Sequence, residues 1–237
     1  MKKENLFKQA FRLKESNCTI ISDKENAIEK ATSSIKSHRR QLEEYIQEHP
    51  RFLHSLEPVP VDDGPEVVRL MAEASAKAGV GPMAAVAGVL ADLAVEEMLR
   101  DGCKVAVVEN GGEVSAVSDQ PVDIALAAGD APLSREMGFR LRKFPIGVAT
   151  SSGLYSHALS FGEAEAVTVF AVDAGVADAA ATAVANLIKG DDVRGVIRQG
   201  IDRALGIDGV QGVFILYRGV VGKAGQVPEL IKVNPKE

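Results

Sequence analysis

The sequence predicts an α+β chain in which long helices pack on a largely antiparallel sheet. Three observations carry the prediction. Segments with helical apolar spacing lie near 25–49, 65–79 and 82–101. Short apolar runs parted by turn residues then dominate from Val105 onward. Tryptophan is absent and aromatics make up only 5% of 237 residues. The core must therefore be built from Ala, Val, Leu and Ile, which suits close packing of helices on a sheet.

The elements follow in order. Residues 5–22 alternate apolar and polar around Lys14-Glu15-Ser16-Asn17 and read as a hairpin. Asp23 is placed to cap a charged helix from about Glu25 to His49, with Ala27, Ala31, Ile35, Leu42 and Ile46 as its apolar stripe. Pro50, Pro58, Pro60 and Gly64 mark residues 50–64 as an irregular linker. That linker divides the chain into an N-terminal layer, 1–64, packed on a main domain, 65–237. Pro65 opens a second helix that Gly79 stops, and Pro82 opens a third that ends at Gly102. Val105–Val108 is a buried strand, Asn110-Gly111 a turn, and Val114–Val117 the return strand. Residues 121–128 form a further strand and 130–144 a charged loop. Ile146–Ala149 and Ala166–Val172 are strands, Ala177–Lys189 and Val193–Leu205 helices. Gly209–Tyr217 and Val220-Val221 close the chain as a hairpin about Arg218-Gly219.

Bulk properties exclude several function classes. A net charge of −6 and a pI near 5.4 argue against nucleic-acid binding, which needs a basic face. No run of eighteen apolar residues supports a membrane span, and the N-terminus lacks the apolar stretch of a signal peptide. Two cysteines, Cys18 and Cys103, fit a reducing cytoplasm and form no zinc spacing.

Four segments carry candidate chemistry. In Glu109-Asn110-Gly111-Gly112-Glu113 a tight turn brings backbone N–H groups together, the geometry of an anion nest. In Ala177-Asp178-Ala179-Ala180-Ala181-Thr182, Asp178 and Thr182 are four apart and share a helix face. They could be two oxygen ligands for a hard cation such as Mg2+, or Asp178 could simply complement the helix dipole from the first turn. His157, after Thr150-Ser151-Ser152-Gly153, is either a half-buried polar residue or, since the unperturbed pKa of a histidine lies near neutrality, a base or a ligand. Cys103 is either a small core residue or, with a lowered pKa and solvent access, a reactive thiolate.

The order of these segments resembles that in ApbE-like flavin transferases. It begins with Gly81-Pro82-Met83-Ala84-Ala85-Val86-Ala87-Gly88-Val89-Leu90-Ala91-Asp92. The Asn110 turn, Thr150–Gly153 and Ala177–Thr182 follow. Arg40-Gln41-Leu42-Glu43-Glu44-Tyr45-Ile46 and Pro50-Arg51-Phe52-Leu53-His54-Ser55-Leu56 are similar to a smaller archaeal and bacterial branch of that superfamily. The resemblance implies an α/β fold of the T-fold kind with a cleft for FAD. It implies transfer of FMN to a threonine of a partner protein, with magnesium at the pyrophosphate. Asp178 and Thr182 would then hold the metal. Asn110, Gly111, Gly112 and Glu113 would line the flavin cleft with Thr150, Ser151 and Ser152, and His157 would be catalytic. The chain departs from the transferases at Ala87-Gly88, where they carry Lys-Gly. It departs again after His157, and in residues 1–64, where their flavin-contacting motif has no counterpart.

Three readings follow for a cytoplasmic protein. The first is a protein that binds FAD, FMN or another phosphorylated ligand with Mg2+, with transfer to a protein acceptor. The second is a sulfur-handling or redox accessory protein using Cys103. The third is a non-catalytic assembly protein whose alanine-rich helices pack a homodimer.

Overall fold

A computed structural model describes residues 6–126, 137–153 and 162–233. The N-terminal hairpin pairs β1 (Phe7–Leu13) with β2 (Ser16–Ser22). Helix α1 (Glu25–Glu48) follows, then a short α2 (Pro50–His54) inside the expected linker. Asp23 does not cap α1. Its Oδ1 accepts the N–H groups of Lys104 and Val105 instead, each at 2.9 Å. Helix α3 (Glu66–Ala78) ends at Gly79, whose φ of 68° is the left-handed stop expected from the sequence. Pro82–Ala85 forms a 3-10 turn that leads into α4 (Val86–Arg100).

Next come β3 (Ala106–Asn110), β4 (Glu113–Val117), β5 (Val122–Ala125), β6 (Met137–Leu141), β7 (Ile146–Ser151) and β8 (Ala166–Ala171). Helices α5 (Ala174–Ala185) and α6 (Val193–Leu205) precede β9 (Val210–Tyr217), β10 (Val220–Gly225) and β11 (Glu229–Lys232). Two corrections concern the stretch read as a charged loop and the C-terminus. Phe139 and Leu141 alternate with Arg140 and are buried, so the end of the charged segment is strand β6. The last residues add β11, which pairs antiparallel with β6.

The large sheet has eight strands in the order β1-β2-β3-β4-β7-β8-β9-β10, and every pairing in it is antiparallel. A three-stranded sheet, β11-β6-β5, covers part of one face. Phe139 sits edge-on to Phe170 and Phe214, at 4.9 and 5.6 Å between ring centres, and joins the two sheets. The helices pack on the opposite face: α1 and α4 over β2 and β3, α5 and α6 over β7, β8 and β9, and α3 on the outside of α5. Alternation in the strands thus sends one set of residues to each layer. Val105, Val107, Val114 and Val148 face the small sheet. Ala106, Val108 and Ala149 face the helices.

The helix layer is tight because small residues let backbones meet. A Cβ on Gly88 of α4 would lie 2.1 Å from the carbonyl oxygen of Ala174. A Cβ on Gly147 of β7 would lie 2.0 Å from the carbonyl carbon of Asp173. The start of α5 is therefore held in a slot between two glycines, one on a helix and one on the sheet. No single described helix is long and apolar enough to cross a membrane.

Candidate functional site

The site begins at the turn between β3 and β4. Asn110 pairs with Glu113 across it, so the two turn residues are Gly111 and Gly112, with φ of 74° and 117°. Positive φ at both positions is what a two-residue type I′ turn demands, and glycine meets it without strain. The turn thus falls one residue later than the Asn110-Gly111 expected from the sequence. Asn110 belongs to the strand, and its side chain is buried at 2% exposure on the helix-facing side. There its Oδ1 accepts the thiol of Cys18 at 3.3 Å, and its Nδ2 donates to the carbonyl of Ala87 at 3.1 Å.

The anion nest expected at this turn is already filled. The Gly111 N–H donates to the carbonyl of Asn17, and the Gly112 N–H donates to Oε1 of Glu109, both at 3.0 Å. A carboxylate of the same chain thus stands where a bound anion would.

Asp178 meets the other side of the same peptide. Helix α5 starts at Ala174 with Asp173 as its N-cap, accepting from Val176 N–H at 2.7 Å. Asp178 therefore lies beyond the first turn, and the dipole role expected for it falls to other residues. Its Oδ2 accepts the N–H of Gly88 at 3.0 Å, in the first turn of α4. Asp92 of α4 does the converse. Its two carboxylate oxygens accept the N–H groups of Ala174 and Gly175, at 3.0 and 2.8 Å. Each helix thus carries, within its first two turns, the carboxylate that caps the other. This reciprocal cap satisfies N–H groups that a helix start would otherwise leave orphaned.

Three carboxyl groups converge here, and burial dominates their behaviour. Asp92 is pushed up to about 7 by burial, against the pull of the Ser115 hydroxyl and the two backbone N–H groups. Asp178 is raised by burial and by the charge of Asp92. Glu113 is raised well above the usual carboxylate range by burial, then by Asp178 and Glu109. The site thus gathers carboxyl groups whose ionised forms it holds at a cost.

A pH prediction follows. A carboxyl whose pKa is raised on folding binds its proton more tightly in the folded state. Its contribution is complete below the unfolded value and is lost as pH rises through the folded one. Without added cations, the Asp92 carboxyl alone should lower stability by on the order of 2 kcal/mol between pH 5 and pH 8. Asp92→Asn should flatten that fall, at the expense of one cap hydrogen bond. Urea melts of both proteins across this range would show it. Parallel curves would mean that Asp92 does not titrate there.

The other expected residues distribute as follows. Thr182 is half-buried on α5, one turn beyond Asp178. It lines a cavity of about 300 Å3 together with Gly81, Met83, Ala84, His54 and Asn186. Thr150 turns to the small-sheet side and bonds Thr168 Oγ1 at 2.9 Å, whereas Ser151 is half-buried beside it. Ser152 is buried against the carbonyl of Ala164. His157 lies outside the described residues. The fold thus brings Asn110, Glu113 and Asp178 together around Ala87-Gly88. It places Thr182 on the neighbouring cavity and leaves Thr150 apart. Between Asn110 and Asp178 stands the first turn of α4 rather than an open cleft.

Asp92 and Cys18 are the residues that sequence reasoning missed. The signal for Asp92 was available: Gly88 and Asp92 repeat the four-residue spacing of Ala174 and Asp178. The Cys18 thiol is buried and pushed up to about 11 by desolvation.

Cys103 does not meet the needs of a reactive thiolate. It is 7% exposed, its thiol donates to the Met98 carbonyl at 3.1 Å, and burial raises its pKa. Iodoacetamide at pH 7 should leave the folded protein unlabelled and modify Cys103 only after denaturation. Rapid labelling of the native chain would restore the sulfur-handling reading.

For a hard cation, the chain offers the Asp178 carboxylate and the Thr182 hydroxyl on one helix face. The described residues contain no group of three or more His, Cys, Asp or Glu arranged to hold a metal ion. Two oxygen donors one turn apart on a helix fit Mg2+, which characteristically takes one or two protein ligands and completes its shell with phosphate and water.

Comparison with known proteins agrees with this architecture. A UPF0280 protein of Methanocaldococcus jannaschii is 41% identical over 235 residues, covering 97% of this chain and 95% of its own length. A UPF0280 protein of Methanococcus vannielii is 40% identical over 237 residues, covering 98% and 96%. The crystal structure of the ApbE protein from Thermotoga maritima superposes with a TM-score of 0.67 at 15% identity, over 93% of this chain and 97% of that one. The apo Pseudomonas stutzeri flavinyl transferase ApbE gives 0.63 at 17%, over 95% and 97%. These two structures establish the fold. Residues 2–205 match the family described as AbpE bacteria, and the chain belongs to that family, an ApbE-like branch shared with the archaeal UPF0280 proteins.

Proposed function

We propose that this protein binds a flavin nucleotide, or a closely related phosphorylated ligand, together with Mg2+ at the Asp178–Thr182 face of α5. We further propose that it carries out FMN-transferase-type chemistry toward a protein acceptor. One observation carries the reading. In an ApbE fold, Asp178 is fixed by the α4 backbone and surrounded by carboxyl groups, with Thr182 one turn along on an open cavity. Such a site gains most from a cation. The ion would supply neutralisation of charge on the phosphate oxygens during transfer. The chain's own part is to hold the cation and orient the ligand. The N–H of Gly88 keeps the Asp178 carboxylate aimed, and Asn110 steadies that turn through the Ala87 carbonyl.

Incubation with FAD and Mg2+, followed by chromatography, tests the transfer step. Metal-dependent appearance of AMP, with FMN free or protein-bound, supports it. Intact FAD in the presence of a threonine-containing acceptor would restrict the function to binding.

A further inference from the structure

A cavity of about 740 Å3 is separate from the carboxyl cluster. It lies between α1, α2, the start of α4 and the β1–β2 turn. Its floor is apolar, made by Leu42, Ile46, Met83, Val86 and Leu90. Its rim carries Lys14, Glu43 and Arg39, tied to one another by ion pairs of 2.7 and 3.0 Å. That is the composition and size of a small-molecule pocket: an apolar body with a few fixed polar groups at its edge. Leu53, His54 and Met83 line both this cavity and the one that reaches Thr182. The two therefore form one bent groove, with α2 at its elbow. Gly81 fixes the elbow, because its α-carbon packs directly on the backbone of Ser55 and Leu56.

We infer that this cavity is the subsite for the planar heteroaromatic ring of the phosphorylated ligand, with Leu53 and His54 as the residues that position it. The inference rests on the function proposed above for the Thr182 end. The apolar floor takes the ring face, and the Lys14–Glu43–Arg39 rim meets its polar edge. The groove then leads the phosphates past His54 toward Thr182.

Each end has its own probe. Riboflavin and adenosine carry a ring without phosphate, and Mg2+ with pyrophosphate carries phosphate without a ring. Riboflavin or adenosine should bind saturably to the intact chain, followed by calorimetry. Leu53→Asp, at an exposed position, should weaken that binding at least tenfold and leave pyrophosphate binding unchanged. Gln47→Trp, which fills the cavity from its exposed side, should do the same and guards against a misfolded first variant. Asp178→Ala should show the opposite pattern. If neither ring compound binds, or if both groove variants leave ring binding intact, the ring subsite is wrong whatever pyrophosphate does. If pyrophosphate binding survives Asp178→Ala, the metal-end reading fails while the ring subsite stands on its own probe.

Discussion

Gly88→Ala should lower the melting temperature by about 6–12 °C, the shift expected from roughly 3 kcal/mol of overpacking in a chain of this size. The added methyl would sit 2.1 Å from the Ala174 carbonyl oxygen and 2.8 Å from the Gly175 nitrogen. Both are backbone atoms, so no side-chain rotation relieves the clash. The helices must separate, and separation breaks both halves of the reciprocal cap, since Asp92 and Asp178 each reach across the same crossing. Gly147→Ala should behave alike from the sheet side, where the methyl meets Asp173 and Ala174 at 2.0–2.2 Å. Calorimetric melts of the two variants check this. An unchanged melting temperature for Gly88→Ala would mean that α4 and α5 do not touch there.

Asp178→Ala should abolish metal-dependent ligand binding, a loss of at least a hundredfold. It also removes the cap on Gly88, so its fold should weaken by about 1 kcal/mol. Asp178→Asn separates the two effects. The amide oxygen still accepts the Gly88 N–H, yet a neutral amide is a poor ligand for a hard cation. It should bind no better than the alanine variant while remaining at least as stable as the parent at pH 8, where the parent carries a buried charge. Metal-dependent binding that survives in the asparagine variant would move the cation elsewhere.

Much of this was legible in the chain. Among the described residues, the apolar spacing located five of the six α-helices and most strands. Gly79 marked the end of α3, and the small residues of 177–183 announced a closely packed helix, read as Ala177–Lys189 and found at Ala174–Ala185. Asn110 and Asp178 stood out as polar groups among small ones. The rest depended on distant partners. Asn110 reads as a turn residue by local rule, but Cys18, 92 residues away, and Ala87 bury its side chain in the strand. Asp178 reads as a helix-start residue, whereas the helix begins earlier and Asp92, from another helix, occupies its first N–H groups. Strand β6 was hidden because Arg140 reads as loop. Its charge is met across the strand pair by Asp123 at 2.7 Å, and only then does the alternation with Phe139 and Leu141 show. Helix α2 was masked by the prolines around it, although Pro50 opens a helix as readily as it ends one.

The most direct test of the account is thermal melting of the intact protein with FAD, once with Mg2+ and once with EDTA. A ligand at a hundred times its dissociation constant adds about 2.7 kcal/mol, a rise of several degrees for a chain of this length. The account predicts that rise with Mg2+ and its loss with EDTA. Equal melting temperatures in both conditions, at saturating FAD, would contradict it.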